Sequence, residues 1–438
     1  MTAAGVAAFL GRRVIFAKLG AGILWACYAA SVLLGSGAGT YNLGGQLVLP
    51  DHLAFYTAAR LIRDGRPEKV YDYEFVTQYQ AELFPGRWDS LEAFRNPPFY
   101  ALLYLTTAGL PFAASAWVWA AVSLALIAGS VRLLVRPPSP PIAMGGLSPI
   151  FWALTFYPVF TAISYGQNTP LSLFVFAVTY RLLAAGRPFL AGLAAGLLWF
   201  KPPLLLGLVV WGLLDLRRLW PAAVGVVITG AALVAGSYPL VPEVWHGFVG
   251  TLTKNVAFDN FEQFKMHNPV AFWRLLLPGV PDRVRWGLAA ASSLAAVGAF
   301  AWLGRRRRAD LPVMFGAAVY LTLWASPHSL IYEWALLVVP GVLWLRERGH
   351  RPEWWFLLYF VAWVVLFAST HLTEGQLIAH AWLMKQAGTE WPPVAVQLSV
   401  PVLAWVGWTA ARLLRESGTR PPEDGDKEAR NDAKNETA

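Results

Sequence analysis

The sequence predicts an all-α integral membrane protein with about twelve spanning helices. Of 438 residues, 56% are hydrophobic and only 14% are charged, where soluble proteins carry about 25% charged residues. Apolar runs long enough to enter a bilayer recur from residue 14 to residue 414, and Arg and Lys collect at alternate ends of them, as they do in cytoplasmic loops.

In chain order the candidate spans are 14–36, 115–135, 148–164, 168–185, 188–200, 203–215, 219–240, 284–303, 311–326, 329–345, 353–370 and 393–414. Arg12, Arg13 and Lys18 precede the first. Arg132 and Arg136, Arg181 and Arg187, Arg217 and Arg218, Arg305 to Arg308, Arg346, Arg348 and Arg351, then Arg412 and Arg415 follow at alternate ends. All fall on one side if 98–112 does not cross, which sets both ends of the chain in the cytoplasm. The first run has a basic start and the small residues "GSGAG", as signal peptides do. It is long for an h-region of about 7–15 residues, so an uncleaved anchor is expected. Residues 1–414 then form a single membrane domain. The tail 415–438, rich in Pro, Asp, Glu, Lys and Asn, is expected to be disordered on the cytoplasmic side.

Three segments face the opposite, extracytoplasmic side in this topology: 37–114, 241–283 and 371–392. Each mixes aromatic and charged residues, the composition of helices lying in a membrane interface. Within 53–63, Leu53, Phe55, Tyr56, Ala59 and Leu61 form an imperfect helical stripe with Arg60 and Arg63 opposite, so the first segment is predicted to be a lid or platform. Neither a repeat of 20–50 residues nor an inverted half-repeat of the kind many transporters carry is visible.

The single Cys27 excludes an intrachain disulfide and a cysteine-built zinc site. The 35 Lys and Arg exceed the 26 Asp and Glu, but no basic stripe with interleaved aromatics occurs, so the charge reports topology and no nucleic-acid partner is expected. His52, His246, His267, His328, His371 and His380 all fall on the outer side without the short spacing of metal ligands. "DYE" at 72–74 and "DNFE" at 259–262 are poor substitutes for DxD, so neither metal nor cofactor is expected. With no P-loop, dinucleotide fingerprint or GxSxG elbow in a credible context, the chemistry left is that of an acid or base at the outer membrane surface.

Six places could carry it. In "LPDHLAFYTAARLIRDG", Asp51 stands at the head of a helix, where it can cap backbone N–H groups or act as a general base. In "GLLWFKPPLLLG", Lys201 occupies a tight outer turn, either snorkelling to the interface or offering a cation to an anionic group such as a lipid phosphate. In "SYGQNTPLSLF", Gln167 and Asn168 open a helix, which either is capped by Asn168 or receives an anion or sugar hydroxyls at its N-terminus. In "WASPHSLIYEWALL", His328 opens another helix and Glu333 lies further in, as a functional carboxylate or as the partner of a neighbouring cation. Arg95 in "RNPPFY" and Glu262 in "DNFE" are further charged candidates on that face, with Tyr56 and Arg60 as substrate contacts from the first platform.

The ordered set "DHLAFYTAARLIRDGRPEKVYD", "NPPFYALLYLTTAGLP", "GQNTPLSLFVF", "AGLAAGLLWFKPPLLL" and "LWASPHSLIYEW" resembles glycosyltransferase family 87, the polyprenol-phosphate-mannose-dependent mannosyltransferases of the membrane-embedded GT-C superfamily. The resemblance implies a GT-C-like helix bundle. It also implies inverting transfer of a sugar, typically mannose, from a polyprenyl-phosphate donor to a hydroxyl of a glycolipid or glycan acceptor on the extracytoplasmic face of the plasma membrane. The family's acidic residue in the first outer loop falls on Asp51 as general base, and its phosphate-holding residues fall on Lys201 and His328. Relatives often have an aromatic before the two prolines of "RNPPFY", so Arg95 and Asn96 depart from the pattern. Another GT-C sugar, or a transporter or flippase of lipid-linked sugars, are the competing readings. A transporter favours ionisable residues near the midplane and repeat symmetry, whereas the polar residues here gather at one face.

The orientation is checked by cysteine labelling from outside intact cells. Asp89→Cys is expected to react and Gly349→Cys to stay protected; the reverse pattern overturns the topology and the side assigned to the site.

Overall fold

A computed structural model describes residues 19–88, 90–135, 148–256, 263–346, 352–389 and 392–417. The basic start, Asp89, Glu262, Gly349 and the tail after Ser417 lie outside the described residues. The all-α class is borne out: among the described residues the only extended pairing is two isolated bridges, Tyr41 with Leu47 and Met266 with Leu330.

The chain begins with α1 (Leu19–Leu33), α2 (His52–Arg63), α3 (Tyr73–Leu83) and α4 (Pro98–Tyr104), followed by the long α5 (Phe112–Val135). The run expected as one span at 148–164 is divided into α6 (Pro149–Leu154) and α7 (Tyr157–Ser164), because Phe156 is extended and Pro158 opens the second helix. Next come α8 (Thr169–Ala184), α9 (Pro188–Gly196), α10 (Leu206–Leu214) and α11 (Leu216–Ser237). Between α9 and α10 two 3₁₀ turns, Leu197–Phe200 and Pro202–Leu205, meet at Lys201. Then follow α12 (Pro242–Val256), α13 (Pro269–Leu276), α14 (Asp282–Arg307) and α15 (Leu311–Ala325). A seven-residue 3₁₀ segment, Ile331–Leu337, leads into α16 (Val338–Arg346), and α17 (Pro352–Ala387) and α18 (Ser399–Ser417) complete the bundle.

Among the described residues four helices are long and apolar enough to cross a membrane: α5, α11, α14 and the stretch Trp354–Ala387 of α17. Six further apolar helical stretches among them are shorter, including Pro188–Phe200, Pro202–Leu214 and Ile331–Leu345, so long helices alternate with short, broken ones. Such breaks are tolerated at membrane depth where protein covers the backbone.

Two outer segments differ from the interfacial helices expected. α2 is buried nearly all round, from His52 through Ala59 and at Leu61, which explains its imperfect stripe: a helix covered on every side has no face to alternate. Residues 371–387 continue α17 without a turn, giving 36 residues, about 54 Å, well beyond a hydrocarbon core of about 30 Å. α4 has seven residues and rises about 10 Å, too short to cross.

Three contacts bring the polar turns of this bundle together. Gly166, in the turn from α7 to α8, has φ +76°, and a Cβ there would lie 2.9 Å from the Cβ atoms of both Leu49 and His52. The turn therefore lies directly on the start of α2, where the Asp51 N–H donates to the Tyr165 carbonyl at 3.0 Å. Below it His52 is fully buried, with Nε2 3.0 Å from Ser115 Oγ, which donates to Thr107 Oγ1 at 3.0 Å. On the other side, residues 263–268 strap the turn after α15. The His267 N–H donates to the Ser329 carbonyl at 2.8 Å and the Asn268 amide to the Pro327 carbonyl at 3.0 Å. The buried His267 ring ties this strap to α17 and α18 through Thr370 Oγ1 at 3.1 Å and Ser399 Oγ at 2.6 Å.

Gly166→Ala is expected to cost about 1–3 kcal/mol, since it forces an L side chain into a left-handed backbone and a sub-van-der-Waals contact. Gly212→Ala, where nothing stands within 4 Å, is the control, and the two thermal unfolding midpoints in detergent decide. Burial holds both His52 and His267 down at about 3, against an ordinary 6.5. Between those values the unfolded chain binds more protons, so stability is complete above pH 6.5 and declines as pH falls below it. His267→Gln is expected to lower the midpoint at neutral pH and flatten that acid slope; an unchanged slope in both His267→Gln and His52→Gln refutes the assignment.

Candidate active site

Four turns converge at one end of the bundle. They are the start of α2, the α7–α8 turn, the Lys201 break and the segment from Ser326 into the 3₁₀ stretch. Tyr332 lies among them: Asp51, Glu92, Tyr165 and Glu333 all stand within electrostatic reach of its hydroxyl, and the Lys201 ammonium is 5.6 Å from its ring centre.

Asp51 occupies the cap position of α2 but does not cap it. Its backbone is already helical, with φ −69° and ψ −19°, and its carboxylate makes no hydrogen bond to the first turn. The carboxylate instead accepts a short hydrogen bond from Gln167 Nε2, across 116 residues of sequence. Asn168 does not cap α8 either; it is buried beside the Tyr100 hydroxyl, itself 2.9 Å from that of Tyr104. The structural readings open for these two residues are thus not the ones the fold uses, and Gln167 and Asp51 become partners.

Lys201 has an extended backbone, φ −144° and ψ 74°, and Pro202 and Pro203 start the next turn. The Asn96 amide fixes this break by donating to the Phe200 carbonyl at 2.9 Å. The Lys201 ammonium forms a close ion pair with Glu333, whose side chain is 2% exposed while that of Lys201 is 21% exposed. Glu333 therefore has the neighbouring-cation partner that was one of its two readings, and Lys201 reaches both the buried carboxylate and the surface.

His328 lies beside this pair. Burial, then the nearby Lys201 and Arg95 charges, push its pKa down to about 4, so at neutral pH it is an uncharged imidazole. It offers a single N–H rather than the cationic contact expected of it, while Lys201 and Arg95 supply the positive charge. The Arg95 guanidinium is 5.9 Å from the ring centre of Tyr73.

Two candidates are engaged otherwise. Tyr56 is buried and donates to the Leu110 carbonyl at 2.9 Å, and Arg60 holds the Tyr56 hydroxyl and lies 3.6 Å from Asp64. Both serve the packing of α2. Glu262 lies outside the described residues. Tyr332 and Tyr165 escaped the sequence reading; the available signal was a tyrosine adjoining an ionisable residue in "IYEW" and a polar turn in "SYGQN". No cluster of three His, Cys, Asp or Glu that could hold a metal forms among the described residues. The arrangement brings a proton acceptor, Asp51, and the Lys201 ammonium both near Tyr332.

Over 370 residues the chain is 27% identical to a Mycobacterium tuberculosis (strain CDC 1551 / Oshkosh) protein, the polyprenol-phosphate-mannose-dependent alpha-(1-2)-phosphatidylinositol pentamannoside mannosyltransferase. That alignment spans 79% of this chain and 78% of the relative. No solved structure matches. The sequence pattern of glycosyltransferase family 87 matches residues 94–327, more than half of the 438 residues and a stretch that holds Arg95, Gln167 and Lys201. The chain belongs to glycosyltransferase family 87.

Proposed function

We propose that the protein transfers mannose from a polyprenyl-phosphate carrier to a hydroxyl of a glycolipid or glycan at the extracytoplasmic face of the plasma membrane, with inversion at the sugar carbon and Asp51 as general base. The observation that carries this reading is the gathering of opposite charges near Tyr332: Asp51, hydrogen-bonded to Gln167, acts on its hydroxyl, and the Lys201 ammonium, which with Arg95 acts on His328, is 5.6 Å from its ring centre. Family membership supports sugar transfer, and the name of the mycobacterial relative supports the donor class.

The acceptor oxygen attacks the anomeric carbon while its proton passes to Asp51, and the bond from that carbon to the phosphate oxygen breaks. Negative charge then grows on the departing phosphate, where Lys201 and Arg95 stabilise it. Gln167 orients the Asp51 carboxylate through their hydrogen bond. His328, kept neutral mainly by burial and further by the Lys201 and Arg95 charges, donates an N–H to a phosphate oxygen. Since Lys201 is engaged by Glu333 beforehand, the donor phosphate shares this ammonium instead of meeting it alone.

Asp51→Asn tests the assignment. Asparagine keeps the size and an oxygen that accepts from Gln167, but it takes no proton at neutral pH. Purified variant, incubated with radiolabelled polyprenyl-phosphate mannose and extracted acceptor lipids, is expected to retain its thermal stability and donor binding and to lose about 10²–10⁴-fold in turnover. Transfer near the wild-type rate removes Asp51 from the chemistry.

A further inference from the structure

At the end of the bundle opposite the candidate active site, α14 and α18 carry the same local pattern, a tryptophan followed by arginines one to two turns later. On α14 these are Trp302, Arg305 and Arg306; on α18 they are Trp408, Arg412 and Arg415. The two tryptophan rings stack at 5.2 Å between centres, and the Arg415 guanidinium sits 3.9 Å from the centre of the Trp302 ring. α15, which runs from this end to the His328 turn, has fifteen residues, so the cluster lies about 22 Å from that turn.

The neighbouring arginines are neutralised. Arg307 pairs with Asp310, and Arg308 with Asp215 at 2.8 Å. Arg305, Arg306 and Arg415 have no carboxylate partner among the described residues, and the first two stand close enough to Arg415 for their charges to act on it. Beside them a cleft of about 300 Å³ is lined by Trp354, Trp405, Trp408, Leu413, Arg412 and Glu416, with Arg412 paired to Glu416 at 3.8 Å and with Trp405 and Trp408 exposed on the outside of the bundle. Alternation of charge between loops accounts for arginines at this end. It does not account for like charges drawn together from two helices over stacked indoles.

We propose that Arg305, Arg306 and Arg415, gathered at the stacked Trp302 and Trp408, bind the headgroup of an anionic phospholipid, with the acyl chains lying along Trp405 and Trp408 in the cleft beside them. Guanidinium groups match phosphate oxygens in pairs, and indole rings sit at the depth of the headgroups, so one lipid phosphate satisfies the charge cluster while its tails cover the exposed rings. A neutral, zwitterionic headgroup brings no net charge to set against the arginines.

The test uses the full chain, purified in a neutral detergent and stripped of lipid. It is titrated with phosphatidylglycerol, with phosphatidylcholine and with free glycerol 1-phosphate, and bound lipid is read by native mass spectrometry alongside the thermal midpoint. Phosphatidylglycerol is expected to bind saturably and raise the midpoint, whereas the other two do neither. Arg415→Gln and, from the facing helix, Arg306→Gln are each expected to weaken that binding about 10- to 100-fold, as loss of a charged hydrogen bond does. Arg132→Gln, an exposed arginine at the end of α5, leaves it unchanged. Equal binding of phosphatidylcholine or of free glycerol 1-phosphate overturns the proposal, and so does an equal loss in Arg132→Gln or no loss in both cluster variants. Binding that appears only after removal of residues 418–438 overturns it too, by assigning the cluster to that acidic segment of the chain itself.

Discussion

The ion pair between Lys201 and Glu333 is the constraint on which the site end of this bundle depends. A carboxylate 2% exposed among apolar helices is costly unless a cation meets it, and removing one partner of such a pair leaves a buried charge unanswered. Both partners lie at breaks in helical backbone. Lys201 lies where two 3₁₀ turns meet, and Glu333 lies in a seven-residue 3₁₀ segment, longer than such runs usually are. The helices on either side, α9, α10 and α16, are short.

The same breaks concentrate polar groups at one end. Asn96 ties the Lys201 turn to the segment before α4, the 263–268 strap fixes the turn that bears His328, and Gly166 lets the α7–α8 turn rest on the start of α2. Asp51 and Lys201 are thereby held near Tyr332 by contacts between distant turns. Preorganisation of this kind is what electrostatic stabilisation of a leaving phosphate requires, since charges already in place need not reorganise as the reaction proceeds.

The two ends of the molecule are built differently for one reason. At the site end, irregular backbone is buried in protein, which satisfies groups that lipid could not. At the other end α14 and α18 run on as regular helices whose arginines project past the apolar region and gather with tryptophans at the interface. Charge at the site end is paired or screened by aromatic rings, whereas charge at the far end is left in excess.

The sequence alone determined the all-helical membrane class and the residues around which the site forms. Asp51, Lys201, Gln167 and His328 each stand at the end of an apolar run, and a costly charge or polar turn in such a place is visible without coordinates. Partnership was not visible. Whether Asp51 caps its helix depends on its backbone angles and on an amide 116 residues away, and Glu333 could have been free or paired until α9, α10 and the 3₁₀ segment were packed together. The charge state of His328, about 4 in pKa, likewise comes from burial and from Lys201 and Arg95, neither of them near it in the chain. Periodicity also misled where it met tertiary cover: α2 reads as an interfacial helix from its apolar stripe opposite Arg60 and Arg63, yet His52 to Ala59 and Leu61 are buried. Local sequence records the cost of placing a polar group, but the groups that offset that cost come from distant segments, and only the packed fold decides which ones arrive.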